Sequence, residues 1–162
     1  MRVILTHEQA DMDALASQLG AWILYPDAYP ILPHKINRNG VSLIAEFGEQ
    51  LPYIDYKAMP HEPIDEVILV DTQSLITLKG MHQGTKVVVY DHHPLKDDID
   101  PEWDLNLVTS GSNVSQMIER IKQQGIEITP LQATILALGL YEDTGSFSYG
   151  SVSYTHLRAH ET

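Results

Sequence analysis

No cysteine occurs anywhere in the 162 residues. Disulfides and thiolate metal ligands are thereby excluded, and any metal would have to be held by histidine and carboxylate. Basic residues are scarce too: 10 lysines and arginines stand against 22 aspartates and glutamates, a formal net charge of −12. A protein that coats duplex DNA needs a basic face to displace counterions, so no such role is expected. An enzyme acting on phosphates is not excluded, because bound divalent cations reverse the sign of the local field. Apolar runs of transmembrane length are missing, and Asp11 and Asp13 fall too early for the basic-then-apolar order of a signal peptide. The expectation is a cytoplasmic protein with no membrane partner.

What the sequence does have is alternation. Arg2–Thr6 is a short β-branched run, followed by helical spacing over Asp13–Tyr25 through Leu15, Leu19, Trp22 and Ile23. Tyr29–Leu32 reads as a strand between Pro30 and Pro33, hence near an edge. Val41–Phe47 reads as a helix with Asn39 as its candidate N-cap. Glu66–Asp71 and Lys86–Asp91 are continuous apolar runs, as in parallel strands covered on both faces. Leu105–Val108 is a weaker strand, Ser112–Gln124 a helix closed by Gly125, and Thr129-Pro130 opens a last helix. Pro52–Pro63 reads as an irregular surface connection. The pattern predicts an α/β fold: a doubly wound, mostly parallel, Rossmann-like sheet with helices on both faces.

The end of the chain departs from this pattern without a linker. Val152–Thr162 (VSYTHLRAHET) reads as one frame of a transposase-type sequencing-library adapter. Residues 151–162 are therefore set aside, and with them the i, i+4 pair His156 and His160. Residues 1–150 are expected to form one domain, the N-terminal part of a longer protein.

In an open parallel sheet, functional groups collect beyond the carboxyl ends of the strands. There stand His7, Asp11 and Asp13 after the first strand, then Asp71, then Asp91-His92-His93, and Glu142-Asp143 at the end of the last helix. Each cluster alone has an ordinary reading: a capped helix start, a turn residue, loop polarity, a helix C-terminus. Together they imply chemistry. Two carboxylates ~4 Å apart repel by about 4 kcal/mol at an effective dielectric of about 20. Gathering Asp11, Asp13, Asp71, Asp91 and Asp143 needs protons or cations to compensate, and at neutral pH two divalent ions are the simplest. Carboxylate and imidazole without sulfur suit Mn²⁺ or Mg²⁺, with Zn²⁺, Fe²⁺ or Co²⁺ as alternatives. Gly111-Ser112-Asn113 could hold a phosphate on backbone N–H groups at a helix start; a plain N-cap is the competing reading.

The segments THEQADMDALAS, LVDTQ, YDHHP and GLYEDTGSF resemble the four successive motifs of the DHH phosphoesterases. That family includes manganese-dependent pyrophosphatases, exopolyphosphatases, oligoribonucleases, cyclic-dinucleotide phosphodiesterases and RecJ-type exonucleases. The resemblance implies that His7 and Asp11 bind one metal and Asp13 the other, with Asp71 bridging both and His92 and Asp143 completing the second site. It makes Asp91 a supporting residue and sets His93 against the scissile phosphate, with a water between the metals as nucleophile. A second, substrate-binding lobe would follow and is not found in residues 1–150. The wording THEQAD, INRNG, VDTQSLITLKGM and DHHPLKDD is similar, more narrowly, to multidomain bacterial proteins in which a DHH unit precedes CBS domains and a poly(A) polymerase or CCA-adding nucleotidyltransferase domain. The expected partners are a phosphorylated small molecule, or single-stranded RNA or oligonucleotide. The competing function is a non-catalytic nucleotide-binding module of such a nucleotidyltransferase.

Overall fold

The computed structural model describes residues 1–148; the segment read as adapter lies outside them. The chain runs from β1 (Arg2–Leu5) through the two-residue β2 (Gln9–Ala10) into α1 (Met12–Leu24). It continues as β3 (Tyr29–Pro30), β4 (Lys35–Ile36), α2 (Arg38–Phe47), β5 (Ile64–Val70), β6 (Met81–Asp91), β7 (Asp104–Leu107), α3 (Val114–Gln123) and α4 (Pro130–Asp143). Five strands form one sheet in the order β3-β1-β5-β6-β7, every pairing parallel. The chain goes from β1 outward to β3, then returns past β1 to β5 and onward to β7. The strand order thus reverses between β1 and β5, and a crevice opens above their carboxyl ends.

Alternate residues of the strands go to opposite faces. Ile4, Ile68, Val70 and Tyr90 pack with Ala21 of α1 and Met117 of α3. Val3, Leu5, Val67, Leu69, Val87 and Val89 pack with Met59, Leu78, Ile54 and Trp103. The α/β class and the parallel sheet agree with the sequence reading. The second face was expected to carry helices; among the described residues it is covered by irregular chain and a 3₁₀ turn at Tyr56–Ala58. Apolar loop side chains dry a strand as well as a helix does, so the continuous apolar runs did not distinguish the two.

α1 is buried along most of its length, with the sheet on one side and α3 and α4 on the other. The approach of α4 is close: a Cβ on Gly139 would stand 2.5 Å from Ala16 Cβ and 2.9 Å from the Met12 carbonyl oxygen. Only a residue without a side chain fits there. At the start of α4, Thr129 and Gln132 form the reciprocal capping box that the threonine foretold. The start of α2 corrects the sequence reading. Its N-cap is Asn37, not Asn39, and the helix begins at Arg38 because the Asn37 side chain accepts the Gly40 N–H at 2.8 Å.

Candidate metal centre

The three adjacent strands β1, β5 and β6 deliver their polar ends to one crevice. His7 follows β1, Asp71 follows β5, and Asp91 ends β6 with His92 and His93 behind it. Asp11 caps α1, its Oδ1 accepting the Ala14 N–H at 3.0 Å, and Asp13 lies in that helix's first turn. α4 brings Asp143 in from the other side. His7, Asp11, Asp71, His92, His93 and Asp143 line an open cleft of about 730 Å³.

Within it, ligating atoms of His7, Asp11 and Asp71 lie within 4.8 Å of one another, and so do those of Asp13, His92 and Asp143. Asp71 stands between the groups, with Oδ2 3.4 Å from His7 Nε2 and Oδ1 3.3 Å from His92 Nε2. His92 Nε2 is also 3.8 Å from Asp143 and 4.0 Å from Asp13. The structure thus brings together every residue expected as a ligand. Asp71 is 4 % exposed, and its Oδ1 is buried with no hydrogen-bond donor properly aimed at it. A buried carboxylate oxygen left so is costly in water's absence and fits a cation. Asp71 also holds φ at 58°, a left-handed conformation that short polar aspartate tolerates better than most residues.

Asp91 also lies within ligating distance of Asp71, His92 and His93, but both of its oxygens are already engaged in hydrogen bonds. Its Oδ1 accepts the His92 N–H at 2.8 Å and lies 2.8 Å from His93 Nδ1, and its Oδ2 accepts Gln73 Nε2 at 2.7 Å. His92 Nδ1 stands 3.1 Å from the Ser110 carbonyl. If it donates there, Nε2 keeps its lone pair toward the acids, the tautomer a metal ligand needs.

Charge crowding perturbs the ionisable groups. Burial pushes the Asp13 carboxyl well up, helped by Asp71 and Asp143, against the N–H groups it accepts from Val114 and Asn113. Asp143 is pushed up to about 6, by burial and then by Asp71 and Asp11, against the opposing pull of His92. For His92, burial lowers the pKa, but contacts with Asp71, the Ser110 carbonyl and Asp13 outweigh it and raise the value to about 9. His7 is raised, chiefly by its contact with Asp71 and against burial. Asp71 moves down, because His7 and His92 outweigh its burial. Without a cation, protons on the two histidines do the compensating.

One expectation fails on geometry. The backbone N–H groups of Asn113 and Val114 are bound to Asp13 at 2.6 and 2.9 Å. Ser112 and Asn113 are fully buried, the Ser112 hydroxyl is paired with Ser115, and Asn113 Oδ1 accepts Gln116. This helix start seats a carboxylate of the centre, so its N–H groups are not available to a phosphate. Two supporting roles were missed in the sequence: Gln73 was given none, and Glu142 was named only beside Asp143. Gln73 donates to Asp91 and to the His93 and Pro94 carbonyls and accepts the Lys96 N–H. Glu142 accepts the Met12 N–H at 2.8 Å and amide N–H groups of Asn37 and Asn39. Their only signal was a polar side chain inside a motif, next to a candidate ligand.

Residues 2–140 match the family model described as DHH family, N-terminal domain. The chain belongs to the DHH family. It is 34% identical over 148 residues to the A-adding tRNA nucleotidyltransferase of Aquifex aeolicus (strain VF5), covering 91% of this chain and 17% of that protein. It is 32% identical over 160 residues to the A-adding tRNA nucleotidyltransferase of Geobacter sulfurreducens, covering 94% of this chain and 18% of that one. The bifunctional oligoribonuclease and PAP phosphatase NrnA of Mycoplasma pneumoniae is 25% identical, with 96% of this chain and 49% of that protein covered. Among solved structures, a Methanococcus jannaschii protein assigned to the family II inorganic pyrophosphatases superposes with a TM-score of 0.75. It is 22% identical and covers 99% of this chain and 54% of its own, a likeness of fold. The chain thus spans under a fifth of the nucleotidyltransferases and about half of the NrnA protein. No helix among the described residues is long and apolar enough to cross a membrane.

Proposed function

We propose that this DHH unit is a two-metal phosphoesterase hydrolysing a phosphodiester or phosphoanhydride in RNA ends, oligonucleotides or small phosphorylated compounds. The observation that carries the reading is Asp71. Its carboxylate is buried between two separate ligand groups and keeps one oxygen without a hydrogen bond. His7 and Asp11 would hold one divalent ion and Asp13, His92 and Asp143 the other, with Asp71 shared. The donor set favours Mn²⁺, then Mg²⁺ or Co²⁺. Two such ions, when bound, polarise the phosphoryl oxygens and lower the pKa of a water molecule.

The chain's own groups supply the rest. Asp91, fixed by Gln73 and by the His92 N–H, binds His93 at Nδ1 and sets the ring's orientation. His93 Nε2 then remains to give a proton to the leaving oxygen, from a ring 55% exposed at the cleft. Asp13 is held by two backbone N–H groups, which fixes its oxygens without moving parts. Residues 1–150 are read as one catalytic lobe, with substrate choice residing in a further lobe of a longer protein. The match to half of the NrnA protein supports that division.

A second reading makes the unit a non-catalytic nucleotide-binding module of a tRNA nucleotidyltransferase. The 34% identity to the Aquifex protein favours it. A sensor, however, needs no carboxylate shared between two ion sites. Calorimetric titration of Mn²⁺ into the metal-free 162-residue chain, with thermal melts in parallel, separates the readings. Uptake near two equivalents, lost in Asp71→Asn, is expected. Indifference to Mn²⁺, Mg²⁺ and Co²⁺ alike would end the two-metal reading and favour the binding module.

A further inference from the structure

Resting on that reading, we propose that Lys96, braced by Ser74 and Gln73, binds a second phosphate of the substrate, next to the one being cleaved. Among the described residues, Lys96 is the only lysine or arginine lining the cleft. Its backbone is fixed: Lys96 N–H donates to Gln73 Oε1 at 2.9 Å, and the same Gln73 side chain holds Asp91 at 2.7 Å. The segment carrying Asp91, His93 and Lys96 is therefore pinned by one buried amide. The ammonium donates to the Ser74 hydroxyl at 2.6 Å, a neutral partner. In a cleft lined by Glu8, Asp11, Asp71, Asp91 and Asp143, it forms no ion pair with any carboxylate of the described residues. Two of its three N–H bonds remain for an anion.

The charge balance says why such a cation is needed. Asp11, Asp13, Asp71 and Asp143 carry four negative charges when ionised, which two divalent ions cancel and no more. A substrate bearing one phosphoryl group can share those ions. A second phosphate, in a diphosphate or in the next link of an oligonucleotide, would find five carboxylates in the cleft lining and a single lysine, Lys96, to balance it. A point-charge ammonium on a flexible stem suits phosphates of differing geometry. Within this lobe, Lys96 thereby favours substrates with two neighbouring phosphates over monophosphates, and the rest of substrate choice resides in the further lobe.

The test uses the whole chain loaded with Mn²⁺ and two inert probes, methylenediphosphonate and orthophosphate, in calorimetric binding. Lys96→Met should weaken the diphosphonate about tenfold or more, as loss of one hydrogen bond between charged groups implies. Orthophosphate affinity and Mn²⁺ stoichiometry should stay within about twofold, and Lys96→Arg should recover most of the loss by keeping the charge. Equal loss for both probes, or loss for neither, overturns the subsite. So does a wild-type chain that takes up Mn²⁺ but ignores the diphosphonate, and that result leaves the metal centre standing. A chain that takes up no Mn²⁺ overturns the proposed function itself, and with it this subsite.

Discussion

At the scale of single residues, the protons on His7, His92, Asp13 and Asp143 are the ones that a metal at the proposed centre would displace. His92 has a folded pKa of about 9 against an ordinary value of 6.5. Its contribution to stability is therefore complete below pH 6.5 and disappears as pH rises through 9. Asp143, raised from 3.8 to about 6, contributes below 3.8, and that contribution is lost as pH rises through 6. Asp71, whose pKa is lowered, works in the opposite sense and loses its contribution on acidification. The metal-free protein should therefore melt progressively lower from pH 6.5 to 9, and His92→Gln should flatten that slope. Mn²⁺ affinity should climb across the same interval, because ligation needs the deprotonated groups. A wild-type melting temperature level over that range would show that His92 is not held as described.

The acids and histidines that gather in the cleft were legible in the sequence because each sits beside the end of a strong strand or helix, where a polar residue stands out. Their supports were not, because the partners are far away in the chain. Asn113 lies 100 residues from Asp13, and Glu142 lies 130 from Met12. A serine-asparagine pair at a helix start looks the same whether it greets a phosphate or a buried aspartate.

At the scale of elements, Glu142 knots three helices together. It accepts from the first turn of α1, from the cap of α2, and itself belongs to the last turn of α4. The short β2–β4 pairing, Gln9 with Lys35 and Ala10 with Ile36, fixes the same stretch from below. Glu142→Ala should cost about 1–3 kcal/mol of stability by leaving the part-buried Met12 N–H and Asn37 amide without their acceptor. It should also weaken Mn²⁺ binding, since Asp11, Asp13 and Asp143 are aligned through that knot; Glu142→Gln should recover part of both. Denaturant melts and metal titration read the two effects separately. Unchanged metal affinity in Glu142→Ala would reduce the knot to a purely structural tie. The helices themselves were readable from spacing and caps. The covering of the second sheet face was not, since strand residues record only that they are buried.

For the whole molecule, fold and centre depend on each other. The strands, α1 and α4 carry the proposed ligands, so ions bound only by the folded state should stabilise all of it. At free Mn²⁺ one hundred times the dissociation constant, each occupied site should add about 2.7 kcal/mol. Chemical denaturation with and without Mn²⁺ measures the gain, and its absence in a chain that demonstrably binds the ion would show that the unfolded chain binds equally well. The two systems nevertheless have different tolerances for error, and the missing side chain at Gly139 is where they meet. A methyl group there would have to push α4 from its 2.5 and 2.9 Å approaches toward an ordinary contact of about 3.5–4.0 Å. A packed core absorbs a shift of that order with some loss of stability. A coordination sphere accepts only about 0.2 Å. Asp143, one turn further along the same helix, would be carried off with it. Gly139→Ala should thus yield a chain that is still folded by circular dichroism and takes up one Mn²⁺ equivalent where wild type takes two. A hydrogen atom in place of a methyl then acts as a gauge block, setting the spacing of the metal centre from inside the core.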